Sequence, residues 1–298
     1  VSAPTAINNR YGAALLVAAA SLFTLDVTLL RFLSPDVPFT QIIFFRSACQ
    51  LVIVAMWIGA RQPALFRSTR WPKLVLRGLT SLLCWWLYYA SFQRLELALA
   101  STLTFTTSLF VVAMAPLVLG EKISVWRWLT TGAGFIGVII ASKITGLNIE
   151  LGVLFGLGSA FAAAILIFQN RVLARTEHTA TIMFWIGLVA TSGTMPMAIV
   201  SWTGLSPIDV LLLVTASTLA TVGMLLTVEA YRFGEVSALA TFPYLRILFA
   251  IGIGYFVFAE IAAPREWIGA TIIIICGLLA NERRRPVVPQ EKPLGINH

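Results

Sequence analysis

A chain of 298 residues and 32.5 kDa that is 58% hydrophobic and 11% charged, with a mean hydropathy of +0.88, has more apolar surface than a water-soluble fold of its size can bury. Soluble domains carry roughly 25% charged residues, so a bilayer is the solvent this composition fits, and ten spans of about 20 residues each leave room only for short loops. A large extramembrane catalytic domain, a nucleotide-binding cassette and any disordered regulatory region beyond the two ends are excluded. The net charge of +8 is no nucleic-acid signature, because the basic residues punctuate apolar runs instead of clustering with exposed aromatics.

Ten helices are predicted in chain order: Tyr11 to Leu33, Phe39 to Gly59, Pro72 to Gln93, Ala98 to Leu119, Val125 to Ser142, Ile149 to Leu173, Thr179 to Trp202, Ile208 to Tyr231, Val236 to Phe258 and Arg265 to Asn281. Several fill intervals without any Asp, Glu, Lys or Arg, such as Glu96 to Glu121 and Glu177 to Asp209. Pro35, Pro38, Pro63, Pro72, Pro207 and Pro264 fall where loops are expected, since proline ends helices and fixes turns. Residues 1–10 carry no basic segment followed by an apolar core and a small-residue cleavage site, so no signal peptide is expected and the first helix should remain in the mature chain. The tail from Arg283 to His298 is expected to be disordered and proline-rich. Cys49, Cys84 and Cys276 each lie in an apolar run and read as packing residues, with no disulfide framework or zinc pattern.

Sidedness follows from Lys and Arg. The N-terminus, every second loop and the C-terminus hold 15 of the 21 basic residues, among them Arg61, Arg67, Arg70, Lys73, Arg77, Arg171, Arg175 and Arg283 to Arg285. The other loops hold four: Arg31, Arg94, Lys143 and Arg265. Both termini are therefore expected in the cytoplasm.

The chain repeats itself. A shift of 139 residues places Glu96 on Glu235, Thr102 on Thr241, Glu121 on Glu260 and Trp128 on Trp267, and a shift of 140 places Gly12 on Gly152 and Arg31 on Arg171. Each copy (residues 11–143 and 149–282) holds five helices, an odd number, so the second must enter the membrane inverted. Inverted repeats are a hallmark of secondary transporters, with the binding site near the midplane where the repeats meet.

The residues at the end of each copy carry a resemblance. Tyr89-Ala90-Ser91-Phe92, Ala100-Ser101-Thr102, Leu119-Gly120-Glu121-Lys122 and Trp128 to Gly132 are similar to the repeat pattern of the drug/metabolite transporter superfamily. Weaker echoes are Glu229-Ala230-Tyr231, Phe258-Ala259-Glu260 and Trp267-Ile268-Gly269, and Phe44-Phe45-Arg46 resembles that family's helix-two arginine. The resemblance spans Tyr11 to Asn281 and, through the aromatic third helix, extends to the YddG-type bacterial exporters of aromatic amino acids. It implies an all-α integral membrane fold of ten transmembrane helices in two inverted five-helix repeats, and residence in the bacterial inner membrane. One departure is that the first copy lacks the proline expected near Thr104, having only Pro116, while Pro243 is present in the second, so the two halves are expected to bend differently.

Charges inside the hydrocarbon are costly and mark candidate sites. Asp26 and Arg46 lie at one depth on neighbouring helices and should pair, either to fix packing or to serve as a gate. Arg246 falls three residues after Pro243, whose helix break opens a polar notch where a guanidinium can hold a carboxylate or cap carbonyls. Trp85, Tyr88, Tyr89 and Phe92 share one face of the third helix and offer either a stacking wall or interior packing, with Tyr244 and Trp185 as weaker candidates for the same wall. Glu229, near a helix end, is either a proton site or a solvated side chain. Gly152, Gly156, Ala160 and Ala164 read as close helix packing.

These features point to a secondary transporter that exports amino acids, aromatic and other neutral ones, by alternating access. No cofactor, metal or nucleic-acid partner is expected; the lipid bilayer and a small-molecule substrate are. The alternatives are an exporter of other small metabolites or drugs, a membrane-embedded enzyme, and a receptor. An enzyme lacks support, because there is no phosphate loop or HExxH motif and both His178 and His298 lie outside the spans. A retinal-type receptor needs an intramembrane lysine, and Lys73, Lys122, Lys143 and Lys292 all lie at loops or in the tail.

Overall fold

The computed structural model describes residues 8–92, 94–95, 103–120, 123–141, 151–259 and 264–282. Within them ten helices are α1 (Asn9–Leu30), α2 (Phe39–Arg61), α3 (Trp71–Phe92), α4 (Thr107–Leu119), α5 (Val125–Ala141), α6 (Leu151–Ala174), α7 (Thr179–Val200), α8 (Pro207–Phe233), α9 (Leu245–Phe258) and α10 (Pro264–Glu282). Six helical stretches among the described residues are long and apolar enough to cross a membrane. Their outer surface is apolar as lipid requires, with Phe256 84% exposed. Local chemistry sets the ends. The Asn8 side chain accepts the Tyr11 amide at the start of α1, and Ser206 and Asp209 form a reciprocal capping box with Pro207 at the start of α8.

The halves are interlocked. Helix α1 packs on α8 and its repeat counterpart α6 packs on α3, while α2 pairs with α7 and α5 with α10. Each pairing maps onto itself or onto its partner when the halves are exchanged, which is what an inverted two-fold demands. Finer geometry agrees with the 139-residue repeat. Among the described residues only Gly120 (φ 66°) and Ala259 (φ 52°) have positive φ, and both end the fourth helix of their copy. Phe105 and Tyr244, also 139 apart, meet edge to face at 5.9 Å, placing the pseudo-two-fold axis between them. A Cβ on Gly12 would come within 3.4 Å of Gly234, and one on Gly152 within 2.8 Å of Leu95, the equivalent neighbour.

Both fourth helices are broken at the same place, whereas the lone Pro243 leads to the expectation that the two halves bend differently. In the second half a turn at Val236–Leu239 and a 3-10 turn at Phe242–Tyr244 around Pro243 precede α9. In the first half residues 103–105 form a separate turn before α4. There no proline is involved. The hydroxyls of Thr106 and Thr107 donate to the carbonyls of Leu103 and Thr104, each at 2.6 Å, and compete with the helical ladder.

We call the side that carries the start of α1 and the end of α10 the terminal face, and the opposite side the distal face. Polar ties from the loops flanking α2 close both: Ser34 Oγ donates to Asp209 in the first turn of α8 at 2.9 Å distally, and Ser68 Oγ donates to Glu177, before α7, at 2.9 Å on the terminal face. At the start of α7 the His178 Nδ1 accepts the Ala180 amide at 3.2 Å. Partial burial, and then the Arg232 guanidinium, lower the His178 pKa from its ordinary 6.5, with Glu229 opposing. The folded state thus prefers neutral imidazole, so this cap's stabilisation is full above the ordinary pKa and is lost as the pH falls below it. Thermal melting between pH 7.5 and 5.5 should show a loss of at most about 1 kcal/mol, and His178→Asn, which caps without titrating, should remove that part of the pH dependence.

Candidate functional site

The intramembrane charges gather on the distal half of the bundle. Arg46 Nη2 of α2 lies 2.7 Å from Asp26 Oδ2 of α1, the expected pair. The pair is asymmetric: Asp26 is 1% exposed and Arg46 is 29% exposed, so the carboxylate anchors the arginine while the guanidinium reaches open space. Arg246, two residues into α9, has no ion-pair partner among the described residues and is accessible. Its guanidinium carbon lies 5.7 Å from the centre of the Phe23 ring, and that of Arg46 lies 6.0 Å from the same ring. Both guanidinium fields reach Asp26 and the Tyr88 hydroxyl. Two cations thus share one aromatic ring with one carboxylate, leaving a single positive charge in excess.

The terminal half beneath is sealed. Leu16, Val112, Ala164, Tyr231 and Leu239, from α1, α4, α6, α8 and the turn before α9, form one buried apolar cluster. Arg171 Nη1 donates to the carbonyls of Tyr231 and Arg232 at 2.6 and 2.7 Å, tying α6 to the end of α8. Arg127 pairs with Glu235 and donates to Ser237, tying α5 to the start of the ninth span. The two faces differ: α6 packs against α8, whereas their repeat counterparts α1 and α3 make no comparable contact among the described residues. The space that the exposed heads of Arg46 and Arg246 reach, called the cavity below, lies on the distal half, and the contact of α6 with α8 closes the terminal half against it.

The remaining candidates fall in several places. Tyr88 joins the charged cluster, as above. Trp85 lines a crevice between α2, α3 and α7 with Phe39, Ile43 and Met197, beside the cluster. Tyr89 and Phe92 have side chains outside the described residues. Tyr244 is fully buried against Val138 and Ile273 and donates to the Thr131 carbonyl at 3.4 Å, so it faces α5 and α10 instead of the cavity. Trp185 lies below the seal, packed on the cluster of Leu74, Ile182 and Val228. Glu229 pairs with Arg232 at 3.4 Å and accepts from Thr179 at the terminal end of α8, outside the charged cluster. Pro243 sits in the helix break next to Arg246, as expected.

Three residues that carry the arrangement were not singled out as site residues. Phe23 reads as one more apolar residue in an apolar helix; its only signal is that it stands three residues before Asp26 and so shares its face. Arg77 and Arg171 count as loop cations by position. Arg77 is instead 1% exposed inside α3, where it donates to Asn170 at 2.9 Å and to Ser81, and Arg171 is 2% exposed. Removing both from the sidedness count leaves thirteen basic residues against four, so the bias keeps its direction.

Comparison with known proteins agrees with this architecture. The profile of the EamA-like transporter family matches residues 10–143 and 150–281. The chain is 25% identical to the pseudopaline exporter CntI of Pseudomonas aeruginosa, over 93% of this chain and 98% of that one. It is 23% identical to the S-adenosylmethionine uptake transporter of Rickettsia prowazekii (78% and 80% covered) and 24% identical to the riboflavin transporter of Vibrio cholerae (80% and 81%). A solved crystal structure superposes with a TM-score of 0.78 over 90% of this chain and 96% of that one at 14% identity, a likeness of fold.

Proposed function

This chain belongs to the EamA-like transporter family, and from that premise we propose that it exports amino acids, aromatic and other neutral ones, across the bacterial inner membrane by alternating access. It is a multi-pass membrane protein and a secondary transporter of small metabolites, not an enzyme. The related proteins carry different cargoes, and their names describe both export and uptake, so the substrate reading rests on the site. The observation that carries it is the accessible Arg246, without an ion-pair partner among the described residues, beside a Phe23 ring already shared with the neutralised Arg46. A guanidinium in that setting takes a carboxylate bidentately, and the ring and Tyr88 offer a stacking surface for an aromatic side chain.

In this reading Arg246 holds the carboxylate and Tyr88 and Trp85 flank the ring. Tyr89 is retained as a lining residue. Tyr244 and Trp185 would need the opposite access state to meet the solute. Asp26 and Arg46 set the cavity's polarity and act as a gate, and Glu229 is a proton site only if transport is proton-coupled. The Lys and Arg bias puts the terminal face in the cytoplasm, with repeats at 11–143 and 149–282. A larger metabolite is the second reading, favoured by the cargoes that the relatives' names describe.

Counterflow of radiolabelled phenylalanine, threonine, a sugar phosphate and a cationic drug into proteoliposomes, with and without a proton gradient, tests this directly. Phenylalanine exchange is expected. Exchange of the sugar phosphate without phenylalanine would overturn the substrate class and leave the fold untouched.

A further inference from the structure

The buried and half-buried cations of the terminal half have anionic or dipolar partners, with one exception among the described residues. Arg127 pairs with Glu235 and Arg232 with Glu229, while Arg171 donates to the carbonyls of Tyr231 and Arg232, at the negative end of the α8 dipole. Arg77 is 1% exposed and meets only neutral side chains: its Nε donates to Asn170 Oδ1 of α6 at 2.9 Å and its Nη1 donates to Ser81 of its own helix. No carboxylate pairs with it among the described residues. A cation held inside a membrane bundle by neutral groups alone carries a desolvation cost that no counter-charge offsets, and such residues mark solute pathways.

The surroundings of Arg77 place it on the route. Arg77, Ser81, Cys84 and Tyr88 recur at i, i+4, i+7 and i+11, so one face of α3 runs from the distal charged cluster down to Arg77, about 16 Å along the helix axis. One turn further, Leu74 packs with Ile182 and Ile186 of α7 and Val228 of α8, and Trp185 of α7 lies against the same cluster. The Trp185 indole N–H is buried and has no acceptor among the described residues. Two donors in one region thus lack what they bind: the guanidinium an anion, the indole an acceptor. A carboxylate supplies both. Helix α3 packs on both α6 and α7, whereas Val228 reaches the cluster from α8, across the closure. Parting of α6 from α8, which opening of the terminal half requires, therefore uncovers Arg77 and Trp185 together.

We infer that Arg77 and Trp185 form a second carboxylate site, reached from the terminal face: in the terminally open state they hold the solute carboxylate as Arg246 holds it in the distally open one. Asn170 and Ser81 engage Nε and Nη1 and fix the guanidinium plane, which leaves Nη2 for the incoming anion. The Trp185 indole N–H is the further donor. With the terminal face in the cytoplasm, this is where an exported amino acid is first held by its carboxylate. The inference rests on the amino-acid export proposed above and adds to it the site of uptake into the cycle.

The test measures exchange of labelled phenylalanine by the full chain in proteoliposomes of one orientation, with KM determined separately for solute on the terminal and on the distal side, and with phenylalaninamide as competitor on each. R77Q keeps a donor for Asn170 and loses the charge. It is expected to raise the terminal-side KM about tenfold while the distal-side KM stays at the parental value, and to abolish the preference for phenylalanine over its amide on the terminal side alone. R77K should fall between, because it keeps the charge without the planar fork. W185F, which removes only the N–H, should raise the terminal-side KM about threefold. Were Arg77 only a tie between α3 and α6, R77Q would lower the melting temperature and kcat with KM unchanged on both sides; that result overturns the second site, and so does an equal rise on the two sides. Should R77Q fail to fold, R77K and W185F carry the comparison, and a parental terminal-side KM in both overturns the site. A parent protein that exchanges no phenylalanine from either side overturns the amino-acid reading, and this site with it, whereas an active parent with an indifferent R77Q overturns this site alone.

Discussion

Arg246→Ala should weaken phenylalanine binding about 10- to 100-fold, since hydrogen bonds to a charged group contribute about 1.5–3 kcal/mol and each 1.4 kcal/mol is tenfold in affinity. Melting temperature should barely move. Arg246 pairs with no carboxylate among the described residues, so its removal strands no buried anion, and the Phe23 ring keeps the second cation, Arg46. Arg246→Lys should fall between, because an ammonium keeps the charge and loses the planar fork that binds a carboxylate with two parallel bonds. Equilibrium binding of labelled phenylalanine to purified protein, beside a thermal melt of each variant, separates lost recognition from lost fold. Unchanged affinity in a folded Arg246→Ala protein would remove Arg246 from the site.

The opposite pattern is expected at the ion pair. Arg46→Ala leaves the Asp26 carboxylate, 1% exposed, without the guanidinium 2.7 Å away, and stranding a buried charge costs about 3–5 kcal/mol. Asp26→Asn should cost less, because Arg46 is 29% exposed and its head already reaches the cavity. The exchange of the two residues, Asp26→Arg with Arg46→Asp, keeps an ion pair but seats the cation in the buried position and turns the carboxylate toward the cavity. That protein should melt close to the parent and transport poorly. Melting curves and exchange rates for the three variants decide between a pair that only packs helices and one that sets the charge of the cavity: full transport by the exchanged protein would leave packing as its whole role.

Much of the fold is legible in the sequence because depth along a membrane helix is written in one dimension. Apolar runs, prolines at loops and a 139-residue echo give ten helices and their inversion, and Asp26 and Arg46 stand at the one depth where they pair. Azimuth is harder to read. Each residue of a helix turns the side chain by about 100°, so Tyr244 and Arg246, two residues apart, point about 200° apart, and Tyr244 packs against α5 and α10 while Arg246 faces the charged cluster. The break before α4 has no proline to announce it and depends on two threonine hydroxyls bonding backward, a choice that threonine makes in many contexts. Phe23 is invisible for a related reason. In a chain that is 58% hydrophobic an aromatic residue carries little information until two arginines are found against it. Arg77 and Arg171 mislead in the other direction, because a cation near a helix end is ordinarily in water and these two are buried, Arg77 against Asn170 of the opposite repeat and Arg171 against the end of α8 in its own.

Most of these expectations depend on one claim, that the excess positive charge of the distal cavity recognises a carboxylate on an aromatic solute. Counterflow of labelled phenylalanine into proteoliposomes, challenged with unlabelled phenylalanine and separately with phenylalaninamide, addresses it without any mutation. The amide keeps the ring and the amine and lacks the anionic group. Phenylalanine should abolish the labelled signal, while phenylalaninamide at the same concentration leaves it nearly intact. Equal competition by the two would contradict carboxylate recognition, and no phenylalanine exchange at all would contradict the amino-acid reading.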